Sequence, residues 1–183
     1  MSEVKRGWSR PARIEAVIFD VHSTLVDQGS ADEWIELALA RSGHELSALS
    51  RAGLASFLDR VWEGARIADP TSSRDLSFAA HERVFHDLLA AGPAVPRPLA
   101  EALYGTLLDT WRAYDDAVPT LTALRAMGQR VCVISNVGLP ISSILDRDAI
   151  TPLVDGTVLS YEVGSVKPDP AIFHAALDIL GFP

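Results

Sequence analysis

A short apolar run, Ala16-Val17-Ile18-Phe19, ends in a carboxylate at Asp20, and the next run of that kind begins only at Arg130. Such a run followed by a polar break reads as a strand buried on both faces, here Ile14 to Asp20. Arg130-Val131-Cys132-Val133-Ile134-Ser135 reads as a second strand and Gly156 to Ser160 as a third. Strands separated by helical stretches rather than tight turns predict a parallel sheet with crossover connections.

The long interval between the first two strands carries almost no strand pattern. Segments near 31–43, 47–66, 74–91 and 97–114 place apolar residues three and four apart, as in Trp34, Leu37 and Ala38 or Leu58, Val61 and Trp62. Gly43, Pro70-Thr71-Ser72-Ser73 and the Pro-rich Gly92 to Pro98 interrupt them. A subdomain of four or so helices is expected over residues 27–115, with Asp115-Asp116 at the return hinge. Beyond it, Pro119 to Met127 reads as a helix with proline in its first turn and Gly128 as its stop. A second helix is expected from Pro140 to about Arg147. A third, Ala171 to Leu180, has Asp169 as N-cap, Pro170 as its first residue and Gly181 at its end. The core is then 14–26 plus 116–183, preceded by a basic, flexible leader over 1–13.

Composition narrows the function. Hydrophobic residues make up 48% of 183 positions, enough for a sizeable core. A formal charge of −8 disfavours sequence-independent nucleic-acid binding. It also requires a local cation or metal at any site for an anionic substrate. The single cysteine, Cys132, allows no intrachain disulfide and reads as an inert core residue in a reducing, cytoplasmic compartment. No stretch approaches the roughly 20 apolar residues of a membrane span. The leader also lacks the apolar run of a secretion signal.

Three polar groups fall at the carboxyl side of strands: Asp20 to Thr24, Ser135-Asn136 and Lys167. Ligands of open parallel sheets bind at that edge. A carboxylate, a hydroxyl and an ammonium converging there make a nucleophile with charge support. Singly, each has a commoner explanation as a turn residue or a solvated charge. Glu162 reads as structural. His81 and His86 are five residues apart, on different faces of a helix, which argues against a metal pair. Trp34, Trp62 and Trp111 read as core of the helical subdomain, with lining of a substrate pocket by one of them as the alternative.

The motifs Phe19-Asp20-Val21-His22-Ser23-Thr24-Leu25, Val133-Ile134-Ser135-Asn136 and Glu162-Val163-Gly164-Ser165-Val166-Lys167-Pro168-Asp169, with a helical block in the first gap, resemble the haloacid dehalogenase superfamily. The resemblance covers residues 14–183. It implies an α/β fold, a Rossmann-like parallel sheet core with an inserted all-helical cap subdomain. It also implies a hydrolase, foremost a magnesium-dependent phosphatase acting on a small phosphorylated metabolite through an aspartyl-phosphate. In that reading Asp20 is the nucleophile, Thr24 positions it, and Ser135 and Asn136 hold a substrate oxygen. Lys167 offsets charge. Asp20 and the main-chain carbonyl of His22 hold Mg2+.

Two departures from the pattern qualify this. Phosphatases of the family carry Asp-x-Asp, whereas here the second acid is His22, a side chain that also exchanges protons near neutrality. The family's further strand with acidic magnesium ligands does not appear before Pro183, so the expected magnesium affinity is weak. The strand edge left open gives a reason to expect pairing into a homodimer. Two alternatives stay open. One is a 2-haloacid dehalogenase, which needs no metal and also lacks the second acid. The other is a catalytically impaired or incomplete relative.

Overall fold

The computed structural model describes residues 14–183, and the expected leader over 1–13 lies outside them. In chain order, β1 (Ala16–Asp20) is followed by the two-residue β2 (Val26–Asp27) and five helices. These are α1 (Ala31–Ser42), α2 (Ala48–Leu58), α3 (Val61–Ala68), α4 (Phe78–Ala90) and α5 (Arg97–Gly105). The chain returns through β3 (Arg112–Ala113), α6 (Ala117–Ala126), β4 (Arg130–Ser135) and α7 (Ser142–Arg147). It continues through β5 (Gly156–Leu159), α8 (Ser160–Val163) and α9 (Pro170–Leu180).

The sheet has the order β1-β4-β5 and is parallel throughout. Alternation along β4 explains its double burial. Cys132 and Ile134 face α9, packing with Ile172, Ala176 and Leu180. Val131 and Val133 face the opposite layer, which includes Leu121 of α6. Asp155 clamps the start of β4: one carboxylate oxygen accepts from Val131 N at 2.7 Å and the other pairs with Arg125 at 2.7 Å. The register sets Asp20 opposite Ile134 and Ser135 opposite Leu159, so the strands end level. That level edge carries the polar groups.

The interval between β2 and β3 is helical, as the spacing predicts, but two of its segments are divided. The stretch 47–66 is α2 and α3. Arg60 N reaches Phe57 O at 3.0 Å, tightening and ending α2, and the bend buries Leu54 and Leu58 on one helix and Val61 and Ala65 on the next. The stretch 97–114 stops at Gly105. The Thr106 hydroxyl folds back onto Ala102 O at 2.8 Å, and a 3-10 turn, Leu107–Asp109, leads into β3. The helix expected from residue 74 begins instead at Phe78. Ser77 accepts from Ala80 N at 3.2 Å as its N-cap, and Ser73–Leu76 before it form a 3-10 turn.

β2 and β3 pair antiparallel, Val26 with Ala113 and Asp27 with Arg112, forming a ribbon at the base of the helical segment α1–α5. Gly29 beside it has φ +73°, and a Cβ there would meet Thr110 O at 2.7 Å. Asp148 of the core accepts from Ala113 N at 2.8 Å, tying the ribbon down. No helix among the described residues is long and apolar enough to cross a membrane.

Candidate active site

The end of β1 places Asp20 in a cavity of about 460 Å³ between the sheet edge and the α3–α4 segment. Its Oδ1 accepts from Lys167 Nζ at 2.6 Å and from Val21 N at 2.8 Å. Oδ2 has no hydrogen-bond partner among the described residues, and the side chain is 44% exposed toward the cavity. At about 4 Å and an effective dielectric near 20, two unit charges attract by on the order of 4 kcal/mol, and water in the open cavity reduces this. The pair therefore orients Asp20 and leaves one oxygen free to attack.

Lys167 comes from the loop after α8, far from Asp20 in sequence, and Asn136 brings it in. Lys167 N donates to Asn136 Oδ1 at 2.7 Å, and Asn136 Nδ2 donates to Lys167 O at 3.1 Å. Asn136 lines the cavity, and its side-chain amide holds the Lys167 backbone through both atoms. Ser135 is 3% exposed and lines the cavity, and its hydroxyl has no hydrogen-bond partner among the described residues.

The turn after β1 settles where the two remaining expected residues lie. Ser23 adopts φ +62°, and the amides of Thr24, Leu25 and Val26 all donate to Val21 O. This turn points Thr24 outward. Its side chain is exposed, makes no hydrogen bond among the described residues and does not line the cavity, so it does not reach Asp20. Its contribution is to the turn itself. His22 does line the cavity, but its ring lies 4.9 Å from that of Trp111 and its Nδ1 is 3.2 Å from Ser23 Oγ. Burial pushes the imidazole below its ordinary value, although Asp20 and Asp27 pull the other way.

The opposite wall comes from α3, α4 and the turn between them. Asp69, just after α3, accepts from Ser73 Oγ at 2.9 Å, Thr71 Oγ1 at 3.2 Å and Arg74 N at 2.7 Å. Burial alone would raise its pKa, but these hydrogen bonds outweigh it and hold the carboxylate low. Arg74 also donates to Asp69 O at 3.1 Å and approaches Asp75 Oδ2 at 3.5 Å. Asp75 and His81 line the cavity and are buried. Burial pushes Asp75 up to about 6 and His81 down to about 4.

The helical segment and the sheet layer touch directly here. Ser160, at the end of β5, is fully buried; its hydroxyl donates to Asp75 O and accepts from Val137 N at 2.9 Å. A Cβ on Gly138 would meet Arg74 O at 2.1 Å, so this loop needs glycine for close approach. None of Asp69, Arg74, Asp75, Gly138 and Ser160 follows from local pattern. The one sequence signal is the cluster Pro70-Thr71-Ser72-Ser73 after Asp69, whose hydroxyls can bond a neighbouring carboxylate.

At the β1 end Asp20 Oδ2 is an oxygen donor open to a cation, and the resemblance implies the His22 carbonyl as a second. Among the described residues no cluster of three or more His, Cys, Asp or Glu could hold a metal. One carboxylate and a carbonyl suit magnesium, which keeps several waters and takes phosphate oxygens. They do not suit a closed zinc site.

A family model described as haloacid dehalogenase-like hydrolase matches residues 14–183. The chain is 31% identical over 100 residues to a bovine (Bos taurus) protein named haloacid dehalogenase-like hydrolase domain-containing protein 3, covering 54% of this chain and 40% of that one. It is 29% identical over 174 residues to a Methanopyrus kandleri protein named glyceraldehyde 3-phosphate phosphatase, covering 92% of this chain and 71% of that one. A crystal structure of an L-2-haloacid dehalogenase superposes with a TM-score of 0.62 at 26% identity, over 93% of this chain and 74% of that one. The match spans 40% or less of the length of the bovine and human relatives.

Proposed function

The chain belongs to the haloacid dehalogenase-like hydrolases, and within that family we propose that it is a magnesium-dependent phosphatase acting on a small phosphorylated metabolite. The observation that carries this reading is the 2.6 Å pairing of Asp20 with Lys167 at a strand edge, with one carboxylate oxygen free and a cavity above it. The Methanopyrus relative named as a phosphatase, matched over 92% of this chain, supports the choice of phosphorus as electrophile.

In this mechanism Asp20 Oδ2 attacks the phosphorus of a bound monoester and the ester oxygen leaves, forming an aspartyl-phosphate. Lys167 lowers the cost of bringing anion to anion. The Ser135 hydroxyl donates to a phosphoryl oxygen, where charge is held during transfer. Asn136 keeps Lys167 in place through its backbone. Water then attacks the phosphorus of the intermediate and frees Asp20. Asp20 and the His22 carbonyl would hold magnesium, which supplies charge neutralisation to the phosphoryl group when bound.

Asp20→Asn is expected to lower kcat for p-nitrophenyl phosphate by at least about a thousandfold, and EDTA to suppress wild-type turnover reversibly. Full turnover by Asp20→Asn would sink the mechanism.

A second reading is cleavage of a carbon–halogen bond, with Asp20 forming an ester to carbon. Two observations favour it: a histidine rather than an acid at position 22, and the 26% identity to an L-2-haloacid dehalogenase. Halide release from a 2-haloacid in EDTA would select it over the phosphatase.

A further inference from the structure

Asp75 presents a charged group that packing does not explain. It lies in the 3-10 turn Ser73–Leu76, is 8% exposed, and lines the same cavity as Asp20 and Lys167. Its main chain has a structural task, since its carbonyl receives the Ser160 hydroxyl. Its side chain meets Arg74 Nη2 at 3.5 Å and is hydrogen-bonded by the Ser72 side chain. Asp69 holds the same arginine at its other terminal nitrogen and its amide. Arg74, Lys167 and Ser72 favour the ionised form of Asp75, and burial and Asp69 disfavour it. Burial outweighs the two cations and the hydroxyl and raises the carboxyl to about 6, in the range suited to proton transfer near neutrality.

The other titratable neighbour is worse placed. His22 Nδ1 lies 3.2 Å from Ser23 Oγ, its ring lies against Trp111, and its Nε2 is buried, with the Gln28 side chain as its neighbour. Its nitrogens are thus turned to protein side chains.

We propose that Asp75, from the cap, carries the proton of the reaction, in place of an acid at position 22. This rests on the phosphatase reading. In the first half, the bond from Asp20 Oδ2 to phosphorus forms, the phosphorus–ester bond breaks, and the leaving oxygen takes the proton of the Asp75 carboxyl. In the second half, water oxygen bonds to phosphorus, the Asp20–phosphorus bond breaks, and the water's proton passes to the Asp75 carboxylate. Asp75 ends as it began, and inorganic phosphate and an alcohol are the products.

The test compares leaving groups in the full chain with magnesium. An alkyl phosphate such as glycerol 3-phosphate needs a proton on its departing oxygen, whereas p-nitrophenyl phosphate does not. Asp75→Asn is expected to lower kcat/KM for the alkyl ester by about a hundredfold or more and for the aryl ester by less than about tenfold. With the aryl ester the variant should also release a burst of nitrophenolate equal to the enzyme, followed by slow turnover, because water attack lacks its base. Asp75→Glu should recover part of the alkyl activity. Equal losses on both esters would assign Asp75 a structural role and overturn the proposal while leaving the phosphatase reading intact. A selective alkyl loss in His22→Asn but not in Asp75→Asn would overturn it equally. No turnover of either ester by the wild type would overturn the phosphatase reading itself, and this proposal with it.

Discussion

The two walls of the cavity are held by different means. On the core side, Asp20 and Ser135 stand at the ends of strands whose register is fixed by parallel pairing, and Lys167 is anchored by two hydrogen bonds between its backbone and Asn136. On the cap side, Arg74 and Asp75 sit in a 3-10 turn organised around one carboxylate, Asp69, which gathers two hydroxyls and an amide. The core wall inherits its geometry from secondary structure. The cap wall inherits it from side chains, and its hold on the core is the Ser160 hydroxyl and the close approach at Gly138. A site built this way holds the Asp20 carboxylate by secondary structure and the facing wall by side chains.

That contrast yields a graded set of outcomes. The largest effect belongs to the core wall. Lys167→Ala should lower kcat/KM for p-nitrophenyl phosphate by about a hundred- to a thousandfold, as removal of a charge-stabilising donor does elsewhere. Asn136→Ala, which leaves the ammonium but frees its loop, should cost about tenfold. If Asn136→Ala proved as damaging as Lys167→Ala, Asn136 would have to touch substrate itself.

Next comes the joint between the walls. Gly138→Ala places a methyl 2.1 Å from Arg74 O, where a backbone atom must give way. A loss of about 1–3 kcal/mol in denaturant unfolding is expected, with KM rising more than kcat falls. Unchanged stability and KM would mean that the cap does not rest on the core in solution.

The smallest effect is a stability difference that depends on pH. The folded Asp75 carboxyl, raised to about 6, binds its proton more tightly than the unfolded one near 3.8. Stability from that proton is fully present below pH 3.8 and is lost as pH rises through 6. Asp75→Asn removes the buried charge, so it should be the more stable protein at pH 8, by on the order of 1–2 kcal/mol, with the gain shrinking toward pH 4. Paired urea melts at pH 8 and pH 4 measure it. A variant less stable at pH 8 than at pH 4, relative to wild type, would show that Asp75 is a structural anion.

The same division separates what the sequence disclosed from what it did not. Asp20, Ser135 and Lys167 were legible because each follows an apolar run or a turn signal, and strand ends in parallel sheets converge without help from distant side chains. The cap helices were legible as periodicity. The break at Asp59-Arg60 was not, because it is decided by which faces of α2 and α3 are buried. The bonds from Asn136 to Lys167 were not legible, since they run to a loop distant in sequence. Thr24 was expected beside Asp20, and the left-handed Ser23 turns it away. Asp75 left no trace in the sequence beyond a polar stretch. Its burial comes from Arg74, from Ser160 and from the loop at Gly138, and a buried charge cannot be read from residues that fold against it from elsewhere.

The central claim is that Asp20 accepts a phosphoryl group. The direct measurement is to quench the full chain with acid during turnover of p-nitrophenyl phosphate in magnesium and locate any adduct by peptide mass spectrometry. The prediction is one added phosphoryl group on the peptide containing Asp20, absent from Asp20→Asn. Sustained turnover with no adduct on that peptide, or a carbon-linked ester there after exposure to a 2-haloacid in EDTA, would contradict it.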